Sequence, residues 1–123
     1  MTGVIAGGLC HAAFMTHAPS IASAETLLLQ ALITPTPGGI ASRVLAKAAG
    51  GNVTLFAFDS GQGLTEHTTP YDALVMVQEG RIVLTIGGKP VEAVPGSVVL
   101  MPGNVPHAVD AREASRMLLI MLK

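Results

Sequence analysis

Gly80 to His107 reads GRIVLTIGGKPVEAVPGSVVLMPGNVPH, and the fold is decided in this stretch. Residues 81–86 alternate, with Ile82, Leu84 and Ile86 on one face, which is the two-residue period of a strand with one buried side. Gly87-Gly88 follows, and glycine takes the positive φ of a tight hairpin turn at no steric cost. Residues 91–94 return. Pro95-Gly96 then turns the chain into 98–101, and Pro102-Gly103 leads into 106–110. These runs have the usual length of strands, and an amphipathic helix needs longer uninterrupted segments.

The same rhythm extends in both directions. Residues 40–48 and 52–59 read as strands joined at Gly50-Gly51, residues 64–69 and 72–78 flank Pro70, and 116–122 closes the chain. The last run is apolar on both faces, so it is either covered on both sides or set in a subunit interface. Short strands separated by glycine and proline predict an all-β sandwich or barrel over residues 40–123.

Residues 1–39 read as an N-terminal extension that packs on this barrel. Within it, Ser23 to Leu32 predicts a short helix, with Ser23 as N-cap, Glu25 in the first turn, and Leu27, Leu28 and Leu32 as its buried stripe. The run Thr34-Pro-Thr-Pro-Gly-Gly39 ends it. The apolar residues 4–15, followed by Ile21-Ala-Ser-Ala24, resemble a secretory segment, yet no Lys or Arg precedes Val4. The expectation is an ordered extension, or a start codon upstream of the true one, and a cytoplasmic protein. Export, with a mature chain starting at Glu25, is the alternative. The run is too short to span a bilayer, so no membrane partner is expected.

A chain of 123 residues is the size of one domain with one core. Its single cysteine, Cys10, excludes an intrachain disulfide, a zinc knuckle and a C-x-x-C redox pair. Seven basic residues face eight acidic ones, with no basic cluster, and the aromatic residues are only Phe14, Phe56, Phe58 and Tyr71. Nucleic-acid binding needs phosphate neutralisation and stacking faces, so nucleic acid is set aside. Charged residues make up 12% of the chain, about half the usual share. So few charges leave much of the surface neutral or apolar, and self-association, most simply as a homodimer, is expected. A neutral Ala/Gly/Thr surface is the alternative.

The chemistry candidates are few. His67 follows Gly61-Gln-Gly-Leu-Thr-Glu66, and His107 follows Pro102-Gly-Asn-Val-Pro106. Imidazole is both the usual acid or base near neutral pH and the commonest metal ligand, although a lone strand histidine is more often satisfied structurally. Met76, Met101, Met117 and Met121 read as core or interface filling, with ligation of soft Cu(I) as the functional alternative. No phosphate-cradling glycine loop is present. Cys10, Ser60 and Ser97 have no activating motif around them.

Two segments together resemble the cupins. Gly61, five residues, His67 and then Gly80 are similar to the first cupin motif, G-x5-H-x-H-x(3,4)-E-x6-G. Gly96, five residues, Pro102, Asn104 and His107 are similar to the second, G-x5-P-x-G-x2-H-x3-N. The resemblance covers residues 40–122. It implies a double-stranded β-helix, or jelly-roll barrel, whose two histidines and glutamate from the first motif join the second motif's histidine around one divalent metal. Here Thr69 stands at the second histidine position, Ala73 at the glutamate, Asn104 at the second motif's glycine and Ala111 at its asparagine. Two of the four implied ligands remain, His67 and His107.

Catalytic metal sites usually need about three protein ligands, so a substitute is sought. Strand alternation from His67 runs through Thr69, Tyr71 and Ala73, which turns Tyr71 inward. Asp72 joins the site if a bulge at Pro70 changes the phase. Glu66 and Gln62 alternate away, and His11 or His17 is a donor if the extension folds over the barrel. The expected ligand-binding residues are thus His67, Thr69, Tyr71 and His107, and the expected metal ligands are His67, His107 and Asp72. The leading expectation is a small-molecule site inside the barrel, with or without one Mn, Fe, Ni, Cu or Zn ion. A metal-dependent oxygenase, isomerase or decarboxylase is the second reading, and a non-catalytic sensor the third.

Overall fold

The computed structural model describes the backbone of Met15–His17 and residues 21–123. Cys10, His11 and the apolar run of residues 4–14 lie outside the described residues, as does the side chain of His17. The described chain runs β1 (Met15–His17), α1 (Leu29–Leu32), β2 (Ile40–Ala48), β3 (Gly51–Phe58), β4 (Gly63–His67), β5 (Asp72–Glu79), β6 (Ile82–Ile86), β7 (Lys89–Ala93), β8 (Val98–Met101), β9 (His107–Ala111) and β10 (Ser115–Leu122). Alternation and turn residues therefore placed nine strands to within about two residues of their ends, which is the ordinary scatter of strand boundaries.

The ten strands among the described residues form two sheets. One has six strands in the order β1-β2-β3-β10-β5-β8, and the other has four, β4-β9-β6-β7. Apart from the parallel β1–β2 pair, every ladder is antiparallel. Chain order and sheet order disagree because the strands pass from one sheet to the other, which makes a jelly-roll barrel. Gly87 and Gly88 carry φ of 58° and 84° between the paired Ile86 and Lys89, the left-handed pair of a two-residue hairpin.

The main core lies between the sheets. Phe56, Phe58, Ile40, Val75 and Val77 face inward from the six-stranded sheet, and Ile82, Leu84, Val109 and Ala111 meet them from the other. The rings of Phe56 and Phe58 stack with centroids 5.9 Å apart, and both side chains are wholly buried.

A smaller cluster sits on the outside of the six-stranded sheet. Ile33, Ala41, Leu55 and Ala57 are buried there, with Leu29, Leu32, Leu45 and Leu118 packed around them. Two guanidiniums tie the segment down: Arg43 Nη1 donates to Leu32 O and Arg116 Nε donates to Ile33 O, each at 2.9 Å. Arginine satisfies carbonyls that the end of a helix leaves open.

The helix is shorter than expected. It spans only Leu29–Leu32, and Leu28 rather than Ser23 holds the N-cap position, with no capping side chain. Ser23 and Glu25 are exposed, and Leu28 points to solvent. An isolated helical turn costs more to nucleate than one uncapped turn returns, so the segment follows the sheet surface instead. Among the described residues, no helix is long and apolar enough to cross a membrane.

Candidate functional site

His67 ends β4 and His107 begins β9, and the two residues are direct partners in that ladder. The β4–β9 register shifts between Leu64 and His67. The shift lets Leu64 and His67, three positions apart, both face the interior, where strict alternation would separate them. Both line a cavity of about 190 Å³.

Each imidazole is held in the same way. His67 Nδ1 lies 3.0 Å from Thr65 O, and His107 Nδ1 lies 3.2 Å from Val105 O. A carbonyl only accepts, so the tautomer that satisfies both of these contacts puts the proton on each Nδ1 and a lone pair on each Nε2. Those two Nε2 atoms face each other at 3.1 Å, with ring centroids 4.3 Å apart and planes at 70°. Burial first, and then the neighbouring His67, hold the His107 pKa below its ordinary value, against an opposing hydrogen bond to Val105 O. In that tautomer the two Nε2 lone pairs converge on one point, where a proton, a donor group or a cation could bridge them.

The loops that carry the two histidines are laced together. Asn104 N donates to Thr69 O at 2.6 Å, and Gly103 N donates to Asp72 Oδ1 at 2.8 Å. Gly103 must be glycine, because a Cβ there would lie 2.6 Å from Pro70 O. Asn104 has φ of 63°, the left-handed conformation that asparagine tolerates better than most residues. Asparagine can therefore stand where the second motif has glycine.

The other expected site residues divide. Thr69 lines the cavity, but its hydroxyl is engaged in a local turn, donating to Tyr71 O at 3.2 Å and accepting from Tyr71 N at 3.4 Å. Tyr71 is not a lining residue. The residue is 38% exposed, with Lys123 Nζ 5.7 Å from the ring centroid. Asp72 is exposed, and its carboxylate holds Gly103 N. Between Thr69 and Ala73, which both line the cavity, Pro70 and the turn interrupt the strand, so the inward phase that alternation assigned to Tyr71 does not carry through.

The remaining lining residues are Leu64, Ala73, Met101, Val109, Met117, Leu119 and Met121. Leu119 and Val109 were legible only as strand apolar residues. Ala73, noted as a missing carboxylate, is better read as the residue whose small side chain opens the space. No carboxylate of the described residues lines the cavity. Among the described residues, no group of three His, Cys, Asp or Glu side chains stands close enough to hold an ion.

This donor set gives half of what the motifs imply for a divalent metal. Two Nε2 atoms 3.1 Å apart would subtend roughly 100° at an ion bonded at about 2.05 Å, a normal angle for two cis imidazoles. The anionic ligand is missing. A hard divalent ion therefore does not fit the lining as it stands.

Two facing sheets, crossovers between them, and a histidine pair inside one end define a small barrel of the cupin class. The model of the Cupin domain family matches residues 54–123, and the chain belongs to that family. Solved structures agree. A conserved protein of unknown function from Streptococcus pyogenes is 32% identical, with a TM-score of 0.79, over 84% of this chain and 90% of that one. A cupin superfamily protein from Desulfitobacterium hafniense is 26% identical, with a TM-score of 0.77, over 83% and 94%. A cupin 2 conserved barrel domain protein from Leptotrichia buccalis is 34% identical, with a TM-score of 0.73, over 76% of this chain and 46% of that longer one. Among proteins of curated function, none matches.

Proposed function

We propose that this cupin binds a compact, largely apolar small molecule inside the barrel, its polar end held by His67 and His107. The observation that carries the reading is the pair of Nε2 atoms, 3.1 Å apart, at the wall of a cavity otherwise lined almost entirely by aliphatic and thioether side chains. Binding sites are commonly built this way, with apolar walls and a few placed polar groups. A volume of about 190 Å³ suits a molecule a little larger than benzene, which fills a cavity of roughly 150 Å³. Two acceptors select a ligand that offers a hydroxyl or N–H proton, or a cation between ligand and protein.

Phenol is a direct probe, since it joins an apolar ring to one donor. In a titration followed by imidazole nitrogen resonances, Nε2 of both histidines is expected to shift. The shifts of the remaining residues should vanish in the His67→Ala/His107→Ala variant. Shifts confined to other parts of the chain, or none at either imidazole, would overturn the reading.

Self-association is part of the same proposal. Val98 and Leu100 on edge strand β8 are 57% and 53% exposed, and Met76 pairs with Val98 on the same outer face. Such a patch on an edge strand is costly to leave in water. A dimer mass by light scattering, falling to monomer in Val98→Asp/Leu100→Asp, is expected; a monomeric wild-type chain would refute it. The single cysteine is compatible with a reducing compartment, and we place the protein in the cytoplasm.

A further inference from the structure

We propose that the histidine end of the cavity binds one soft monovalent metal ion, Cu(I), through the Nε2 atoms of His67 and His107 and the thioethers of Met101 and Met121. The inference rests on the reading of the two histidines as the anchors of the cavity, and it takes the mismatch with a hard divalent ion as its starting point.

Register brings the methionines together. Met121 pairs with Ala73, and Ala73 pairs with Met101. The three residues thus form one row across β10, β5 and β8, and all three line the cavity. Adjacent strands lie about 4.8 Å apart, so the two methionine Cα atoms stand roughly 10 Å apart across a residue with only a methyl group. A thioether at the end of three rotatable bonds can close such a gap from both sides. This row lies at the end of the barrel where β4 ends and β5 begins, the same end as His67 and His107. Met117 also lines the cavity, but from its inner side, away from this row. It pairs with Phe56 and Val77, four positions further along β10, and is wholly buried in the core.

The donors also decide the charge. Imidazoles, thioethers and one engaged hydroxyl provide no negative charge. Bringing an ion into an apolar space without a counter-charge costs an energy that rises as the square of its charge, so a divalent ion pays about four times what a monovalent ion of equal size does. Thioether and imidazole together are donors that Cu(I) prefers, whereas Mg, Ca and Mn require carboxylate or carbonyl oxygen. Met121 is partly exposed, which leaves a route of entry beside the site.

The test is an anaerobic titration of the full chain with Cu(I) against a chromophoric Cu(I) chelator, with Zn(II) titrated in parallel. Wild type is expected to take one equivalent of Cu(I), with sulfur scatterers at the copper in X-ray absorption. Met101→Leu/Met121→Leu conserves volume and should fold, as checked by circular dichroism. It is expected to lose about tenfold or more in Cu(I) affinity while its Zn(II) binding stays as in wild type. Unchanged Cu(I) affinity in that variant, or no copper–sulfur scattering in wild type, overturns the proposal. If His67→Ala/His107→Ala abolishes Cu(I) binding while the methionine variant does not change it, only the soft site fails and the histidine anchors stand. If neither variant alters binding, both readings fail.

Discussion

The two ends of the barrel interior are built from the same sheets and do opposite things. At one end, Phe56, Phe58, Ile40 and Ile82 fill the space between the layers, all of them wholly buried. At the other end, some four residues further along the strands, Ala73 presents only a methyl group and the layers leave a cavity. Both ends are apolar, so hydropathy does not separate them. Side-chain volume does. Filled space stabilises the fold, and unfilled space beside two imidazoles leaves room for a ligand. The lesson is that packing at one end supports an open, less favourable arrangement at the other.

The largest expected effect tests the packed end. Phe56→Ala removes a fully buried ring stacked on Phe58 and is expected to cost about 3–5 kcal/mol, read as a lower urea midpoint. A loss below about 1 kcal/mol would mean that this end is not what holds the barrel together. Next comes the lacing of the two motif loops. Asp72→Ala leaves Gly103 N without its carboxylate and should cost about 1 kcal/mol, while the Nε2 atoms of both histidines lose their fixed separation. Equal phenol-induced shifts in wild type and variant would show that the latch does not position the site.

Ala73→Leu sharpens the contrast from the open side. It makes the hollow end resemble the packed one, filling the gap between Met101 and Met121. Stability should change by no more than about 1 kcal/mol, because the added carbons enter existing space, while binding of phenol and of Cu(I) is lost. A large destabilisation with binding intact would mean that the cavity lies elsewhere.

The smallest effect is a pH slope. Because folding holds the His107 pKa below 6.5, the unfolded chain binds the proton more readily. Stability from this group is therefore complete above 6.5 and falls with pH through the lower folded value. Urea midpoints measured across that window should show a shallower acid loss in His107→Gln than in wild type. An identical slope would assign the acid sensitivity to the carboxylates.

Much of the fold was legible because its signals are local. Alternation at Ile82, Leu84 and Ile86 and the Gly87-Gly88 turn act over a few residues, and they gave strands β6 and β7 directly. The short helix was misread for a related reason. Ser23 and Glu25 have the chemistry of a helix start, but the structure uses neither, because the strand surface beneath α1 and the two arginines hold that segment. Local propensity yields where packing is stronger. The site was legible only in part. His67, His107 and Thr69 were named and line the cavity, whereas Tyr71 and Asp72 were named and lie outside it.

By itself the sequence determined the strands, their turns and the two motif histidines, since backbone preference and turn chemistry are written residue by residue. Only the tertiary structure decided which atoms meet. A register shift between Leu64 and His67 aims one imidazole at the other, and a row of cross-strand pairs sets Met121 and Met101 on either side of Ala73. Side-chain direction depends on bulges and on pairing between segments far apart in the chain, and neither is encoded in the period of any one strand.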